Sequence, residues 1–262
     1  MHFYKYQGTS NDFVMLDDRA RTFPADDHAL VARLCDRRRG IGADGLILLR
    51  ELPGYDFEMV YYNADGRPGS MCGNGGRCTV AFARQLGVIQ EQAHFLAADG
   101  PHEASIDPDG LVRLRMMDVA GQEEITGDVF MNTGSPHVVR FLPAGSLAGH
   151  DVYAEGRAIR YGAFFGERGG TNVNFVEEPA QAGQPWLVRT YERGVEDETH
   201  SCGTGVTAVA LAAARRGALS PVPLRTVGGE LSVSFRQLPD GSFTDVYLQG
   251  PAEFVFEGDI QL

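Results

Sequence analysis

Two tetrapeptides of this 262-residue chain could carry chemistry: Cys72-Gly73-Asn74-Gly75 and Cys202-Gly203-Thr204-Gly205. Each precedes a run of small and apolar residues that reads as a helix, so each thiol stands at a predicted helix start, beside backbone N–H groups that the glycines leave uncovered. A thiol titrates near ~8.5, and a helix N-terminus favours the thiolate. The dipole supplies roughly 0.3–1 kcal/mol, or about 2 when partly buried; at ~1.4 kcal/mol per pKa unit, the shift is about half to one and a half units. A thiolate base is then within reach at neutral pH. If the two helix starts face each other across a cleft, one sulfur lies on each side of a ligand. Repulsion then favours one thiolate with one thiol, titrating as a unit. One sulfur removes a proton and the other delivers one from the opposite face, which inverts a carbon acid. The N–H groups of Gly73, Asn74, Gly203 and Thr204 could bind the neighbouring carboxylate and hold the charge that develops. No lysine in a pyridoxal-type context and no metal-ligand cluster is evident, so the expected chemistry uses no cofactor and no metal.

The elements that must position these thiols repeat. A predicted strand over 57–62 leads to Cys72, a helical stretch to Leu86 and then Gly87; a predicted strand over 186–191 leads to Cys202, a helical stretch to Arg216 and then Gly217. From Cys to the terminating Gly is 15 residues in both copies. A hairpin turn follows each, Asp107-Pro108-Asp109-Gly110 ending 38 residues past the first Cys and Pro239-Asp240-Gly241 ending 39 past the second. Order, spacing and turn chemistry agree, so the chain reads as a duplicated unit whose copies lie 130 residues apart. Residues 79–83 and 206–214 are almost wholly small and apolar, as in helices enclosed on every side. Both stretches end in polar residues, Arg84-Gln85 and Arg215-Arg216, before the glycine, as expected at helix C-termini. Further strands are expected over 3–6, 13–17 and 46–50, and a helix over 26–38 with Leu30, Val31, Leu34 and Cys35 on one side and Gly40 past its end. The loosest linker is 177–185. This mixture predicts an α+β chain.

Composition bounds the function. At 43% apolar and 22% charged, the chain is an ordinary globular one with room for one large domain or two of about 130 residues. The net charge of −12 argues against binding nucleic acid or an anionic membrane, so an acidic ligand must be held by local groups. Met1-His2-Phe3-Tyr4-Lys5 shows no basic segment followed by an apolar one, and no stretch approaches the ~18 apolar residues of a membrane span. A soluble cytoplasmic protein is expected. Four cysteines are too few for a disulfide scaffold. Cys35 and Cys78 read as core residues, and a metal site on Cys72 and Cys78 lacks partners. A single Cys-Gly-x-Gly more often marks a buried structural cysteine; its recurrence at the same place in both copies reverses that reading.

The chain resembles the diaminopimelate epimerase family over essentially its full length. The resemblance runs through Gly8-Thr9-Ser10-Asn11-Asp12-Phe13, Gly40-Ile41-Gly42-Ala43-Asp44-Gly45, Asn63-Ala64-Asp65-Gly66, Met71-Cys72-Gly73-Asn74-Gly75-Gly76-Arg77-Cys78, Ser135-Pro136-His137, Tyr191-Glu192-Arg193-Gly194 and Ser201-Cys202-Gly203-Thr204-Gly205. It implies a pyridoxal-independent epimerase that interconverts LL- and meso-diaminopimelate for lysine and peptidoglycan synthesis. It implies two pseudo-symmetric α+β halves, 1–117 with 251–262 and 118–250, each a sheet rolled around a central helix, with the active site between them. It also implies that Cys72 and Cys202 are the acid–base residues, that Asn11 lies beside substrate, and that Asn63, Asn172 and Arg193 hold its distal amino-acid end. The Arg193 fork suits a carboxylate. Glu192 and His137 match positions that tune the cysteines and contact substrate, and Ser135 stands where an Asn often precedes Pro-His. Ser10 replaces a common Gly, Gly45 a substrate-binding Gln of some relatives, and the stretch 195–200 is acidic and one residue longer than in some. A homodimer is compatible with the sequence, which does not decide it.

Two other functions compete at this point. A proline or hydroxyproline racemase-like enzyme would use the same two thiols, but Arg193, Asn63 and Asn172 suit a second amino-acid end that it would not need. A non-catalytic protein would use Cys72 and Cys202 as a redox-switched disulfide.

Overall fold

The run Phe13-Val14-Met15-Leu16 is apolar at every position, the pattern of a strand covered on both faces. In the computed structural model, which describes residues 1–181 and 183–261, both faces are indeed covered. Val14 and Leu16 pack with Val31 and Leu34 of a helix on one side, while Phe13 lies under the start of a second helix on the other. Ala182, inside the expected linker 177–185, lies outside the described residues, as does Leu262 at the end of the expected 251–262 segment.

The chain divides into two compact units, Met1–Leu114 with Gly250–Leu262, and Arg115–Gln249. The first contains β1 (His2–Gly8), β2 (Asn11–Asp17), α1 (His28–Cys35), β3 (Gly45–Arg50), β4 (Phe57–Asn63), α2 (Gly73–Gln85), β5 (Gln92–Ala97), β6 (Gly100–Ile106) and β7 (Leu111–Arg115). The second contains β8 (Glu123–Ile125), β9 (Asp128–Asn132), β10 (Pro136–Leu142), α3 (Val152–Arg160), α4 (Ala163–Gly166), β11 (Asn172–Glu177), β12 (Trp186–Glu192), β13 (Asp197–Thr199), α5 (Gly203–Ala214), β14 (Val222–Thr226), β15 (Gly229–Gln237) and β16 (Phe243–Pro251). The last strand, β17 (Glu253–Asp259), returns to the first unit and pairs with β1.

Strand pairing repeats in order and in sense. From β1 to β7 the neighbours are antiparallel, parallel, antiparallel, parallel, antiparallel and antiparallel. From β9 through β10, β11, β12, β14 and β15 the senses run the same way up to the β15–β16 pair. The expected α+β class with two pseudo-repeated halves is the observed one.

Each copy closes a sheet on its own helix. α5 is buried from Gly205 to Ala213 and packs with Val139, Val176, Trp186, Val188, Leu224, Val233 and Leu248. Each fully buried Val or Leu there contributes about 1.5–3 kcal/mol of burial free energy. α3 covers the opposite face of the same sheet through Val138, Val173 and Phe175. Both enclosed helices end alike: Gly87 N and Val88 N donate to Arg84 O and Ala83 O, and Gly217 N and Ala218 N donate to Ala214 O and Ala213 O. Gly87 (φ 71°) and Gly217 (φ 90°) supply the left-handed residue this stop requires.

β1 and β2 run longer than the expected 3–6 and 13–17, and two helices are shorter than expected. α1 spans 28–35, shorter than 26–38, because Asp27 caps Leu30 N at 2.9 Å and Asp36 turns its carboxylate onto the N–H groups of Arg38 and Arg39 at 2.8 and 2.9 Å, ending the helix. α5 ends at Ala214, and Arg215-Arg216 lie in the closing turn. Among the described residues no helix is long and apolar enough to cross a membrane.

Candidate active site

Each cysteine is an N-cap. Cys72 (φ −110°, ψ 121°) and Cys202 (φ −120°, ψ 112°) are extended, and neither side chain caps its helix. Their carbonyls accept the first helical bonds, from Gly76 N at 2.7 Å and Val206 N at 2.9 Å. Gly73 and Gly203 are the first helical residues, followed by Asn74 and Thr204, so the first-turn N–H groups have no acceptor within the helix.

In the first unit the surroundings of Cys72 come from the ends of β2, β3 and β4. Pairing sets Phe13 beside Gly45 and Gly45 beside Asn63, so the Asn11, Asp44 and Asn63 ends of these strands coincide. Asn11 accepts from Cys72 Sγ (3.6 Å) and from Asn74 Nδ2 (3.2 Å), and donates to Asp44 Oδ2 at 2.8 Å. Asp44 is held by Arg37 at 2.8 Å, which also grips Asp12 through both nitrogens, while Lys5 reaches Asp12 at 2.7 Å. Burial pushes the Asp12 carboxyl up, but the hydrogen bonds from Arg37 and Lys5 outweigh it and hold the group well below the usual range. Asn63 is exposed and its Nδ2 lies 3.5 Å from Arg67 O. Gly45 has a steric reason: a Cβ there would meet the Tyr61 ring at 2.5 Å and Tyr62 O at 2.6 Å.

Arg77, one turn into α2, is fully buried, and among the described residues its bonds go to neutral acceptors, Thr9 Oγ1 at 3.0 Å and Pro251 O at 3.3 Å. Burial lowers its pKa, against the opposing pull of Cys78 and Cys72. Burial pushes the Cys35 and Cys78 thiols up to about 12, which makes both inert core residues.

In the second unit the corresponding strand ends carry His137, Asn172 and Glu192, with His137 beside Asn172 across the β10–β11 pair. His137 is fully buried; Nε2 lies 2.9 Å from Thr204 Oγ1 and Nδ1 lies 3.2 Å from Asn174 Nδ2. Burial, then the nearby Arg193 charge, pushes its pKa down to about 3, so the ring is neutral. Thr204 Oγ1 is 3.6 Å from Cys202 Sγ. Asn172 donates to Ser135 Oγ and Pro136 O, both at 2.9 Å, and accepts from Arg193 N at 2.8 Å. Glu192 accepts from Thr199 Oγ1 at 2.7 Å, and burial raises its pKa.

The first unit thus gathers Cys72, Gly73, Asn74 and Asn11 at one helix start, and the second gathers Cys202, Gly203, Thr204 and His137 at the other. Asn172, Ser135 and Arg193 form a neighbouring group in the second unit, whereas Asn63 lies against Arg67 O and Glu192 is bonded to Thr199. Sequence reasoning missed Asp44, Arg77 and Asn174. Asn174 had a signal, a second polar residue two positions after Asn172 among the apolar residues Val173, Phe175 and Val176.

The diaminopimelate epimerase family profile matches residues 3–120 and 129–255. The chain belongs to the diaminopimelate epimerase family. The diaminopimelate epimerase of Flavobacterium psychrophilum is 50% identical over 262 residues, covering 99% of this chain and 100% of that protein. That of Chlorobaculum tepidum is 42% identical, covering 97% and 99%. Membership of the diaminopimelate epimerase family makes the protein an enzyme of the isomerase class. Among solved structures, a Bacillus anthracis phenazine biosynthesis protein of the PhzF family superposes with a TM-score of 0.75 at 12% identity, covering 100% of this chain and 99% of its own. A hydroxyproline epimerase from Agrobacterium vitis gives 0.65 at 15% identity, covering 98% and 91%. At these identities the likeness is one of fold.

Proposed function

We propose that this protein interconverts LL- and meso-2,6-diaminopimelate without a cofactor, with Cys72 and Cys202 as the acid–base pair, in the cytoplasm as part of lysine and peptidoglycan precursor synthesis. The observation that carries this reading is the shared geometry of the two helix starts, each with an extended cysteine N-cap and first-turn N–H groups lacking helical acceptors. A carboxylate held by such N–H groups brings its α-carbon beside the sulfur, and the same groups hold the charge that grows as the α-proton leaves. The thiolate takes that proton as the thiol gives its own to the opposite face, so one C–H bond breaks as another forms and the sulfurs exchange roles. Arg193, with Asn172 and Ser135 beneath it, suits the distal carboxylate, which a proline-type substrate lacks.

Incubating the reduced enzyme with LL-diaminopimelate in deuterated water tests this. Deuterium at one α-carbon and an LL/meso mixture are expected; no exchange overturns the reading, and exchange of proline in its place selects the racemase alternative.

A further inference from the structure

The two sulfurs face hydrogen-bonding groups of opposite direction, and in each unit that direction is set by a partner that can only accept. We infer that at rest Cys72 carries the proton and Cys202 the negative charge, with Asp44 and His137 as the positioning residues that fix this. The inference rests on the two-thiol reading above.

At Cys72 the deciding group is Asp44. Its carboxylate, bonded to Arg37 at 2.8 Å, has no proton to give, so the Asn11 amide must turn its nitrogen toward it, at 2.8 Å. The Asn11 oxygen is thereby aimed at Asn74 Nδ2 and at Cys72 Sγ. A carbonyl oxygen at 3.6 Å from sulfur matches an S–H and opposes a thiolate.

At Cys202 the deciding group is the Val138 carbonyl. It accepts from Asn174 Nδ2 at 2.9 Å, which fixes that amide, and the Asn174 oxygen faces the Thr190 hydroxyl at 3.0 Å. The second hydrogen of the same NH2 points at His137 Nδ1, so Nδ1 is bare and the neutral ring carries its proton on Nε2. Nε2–H then donates to Thr204 Oγ1. The single hydroxyl hydrogen of Thr204 is left to donate to Cys202 Sγ, 3.6 Å away, which suits a thiolate.

Other charged groups lie around both sites. Asp12 with Lys5 and Arg37 forms a network beside Asn11, Glu253 of β17 acts on Cys78, and Cys78 is neutral in the core. Arg77 on α2 is the counterweight, since its buried charge favours a thiolate at Cys72; its bonds, however, go to Thr9 and Pro251. In the second unit Arg193 acts on the His137 ring, and Glu192 is engaged by Thr199. During turnover Cys202 takes the α-proton and Cys72 delivers its own. The enzyme is left with a Cys202 thiol and a Cys72 thiolate, and it returns to rest by a reverse turnover or by proton exchange with water.

The test is the pH midpoint of alkylation of each thiol in the substrate-free enzyme, with iodoacetamide as probe and peptide mass spectrometry as readout; midpoints are insensitive to differences in access. The Cys202 midpoint is expected at least about one unit below that of Cys72, a tenfold difference in thiolate population. Asp44→Asn, which can donate and so frees Asn11 to turn, should lower the Cys72 midpoint alone. Thr204→Val should raise that of Cys202, and Thr204→Ser should restore it. A Cys72 midpoint at or below that of Cys202 in the unaltered enzyme, or midpoints that none of these variants moves, overturns the assignment. Epimerisation of LL-diaminopimelate by Cys72→Ser and Cys202→Ser is the separate check: epimerisation surviving undiminished in either removes the two-thiol reading itself, whereas epimerisation lost with reversed midpoints removes only the assignment.

Discussion

Asn172 receives the backbone N–H of Arg193 at 2.8 Å and gives its own amide hydrogens to Ser135 Oγ and Pro136 O. The Arg193 side chain in turn reaches Ser135 Oγ at 3.3 Å and Gly169 O at 3.5 Å, and among the described residues it has no acidic partner. In a chain of net charge −12, an exposed guanidinium left to neutral acceptors is set to receive an incoming carboxylate. Arg193→Met is therefore expected to raise KM for diaminopimelate and to cut kcat/KM by about ten- to 150-fold, the loss of one charged hydrogen bond at roughly 1.5–3 kcal/mol. Arg193→Lys should recover only part, because it lacks the fork. Steady-state kinetics decide, and an unchanged KM in Arg193→Met would remove the residue from the site.

Replacing either catalytic candidate by alanine should abolish epimerisation, by at least about 10²–10⁴-fold in kcat, the usual worth of a positioned acid or base. Neither sulfur caps its helix, so far-UV circular dichroism should not change. Full activity in Cys72→Ala or Cys202→Ala would refute the paired roles.

His137 links the site to acid stability. Its folded pKa lies near 3 against an ordinary 6.5, because burial disfavours the charged ring. Between these values the unfolded chain binds the extra proton, so stability from this group is complete above about pH 6.5 and is lost as pH falls toward 3, at no more than about 1.4 kcal/mol per pH unit. His137→Gln should flatten the fall in Tm between pH 7 and pH 4. Parallel curves for the two proteins would show that the ring is not held neutral.

The repeat was legible because it is written in residues with few alternatives: a cysteine before glycine, a glycine 15 residues later, an Asp-Gly turn after that. Those positions fix the helix starts, the helix stops and the β6–β7 and β15–β16 turns. What stayed hidden depends on contacts between distant segments. Asp44 acts through Asn11, 33 residues away, and Asn174 through His137, 37 residues away, and neither partnership has a spacing that sequence can read. Arg77 was hidden differently: an arginine five residues past a helix start reads as surface, and only the fold buries it.

Gly205 is the glycine of the second helix start that tolerates no side chain. A Cβ there would stand 2.5 Å from Asn174 Oδ1 and 3.3 Å from Cys202 Sγ. Alanine is worth about 1 kcal/mol over glycine inside a helix, but here the clash falls on the amide that orients His137. Gly205→Ala should thus cost activity while leaving a folded protein, with an upward shift of the Cys202 alkylation midpoint. A more stable and fully active variant would show that Asn174 can move without consequence.

Thr9 (φ 52°) and Ser10 (φ 64°) form the two-residue turn between β1 and β2, where both positions require the left-handed region that favours glycine or asparagine. The turn persists because its surroundings hold it: Thr9 is buried and receives Arg77 Nη2 at 3.0 Å, and Ser10 N donates to Gln7 Oε1 at 2.9 Å. A non-glycine residue in this region costs roughly 1–2 kcal/mol, part of which glycine returns as unfolded-chain entropy. Ser10→Gly is accordingly expected to stabilise the protein by up to about 1 kcal/mol, a rise of roughly 2–4 °C in Tm for a chain of this size. The gain should appear as a higher urea midpoint at unchanged slope. A lower Tm would mean that the Ser10 side chain contributes more to this turn than its backbone costs, and that the Asn11 loop depends on it.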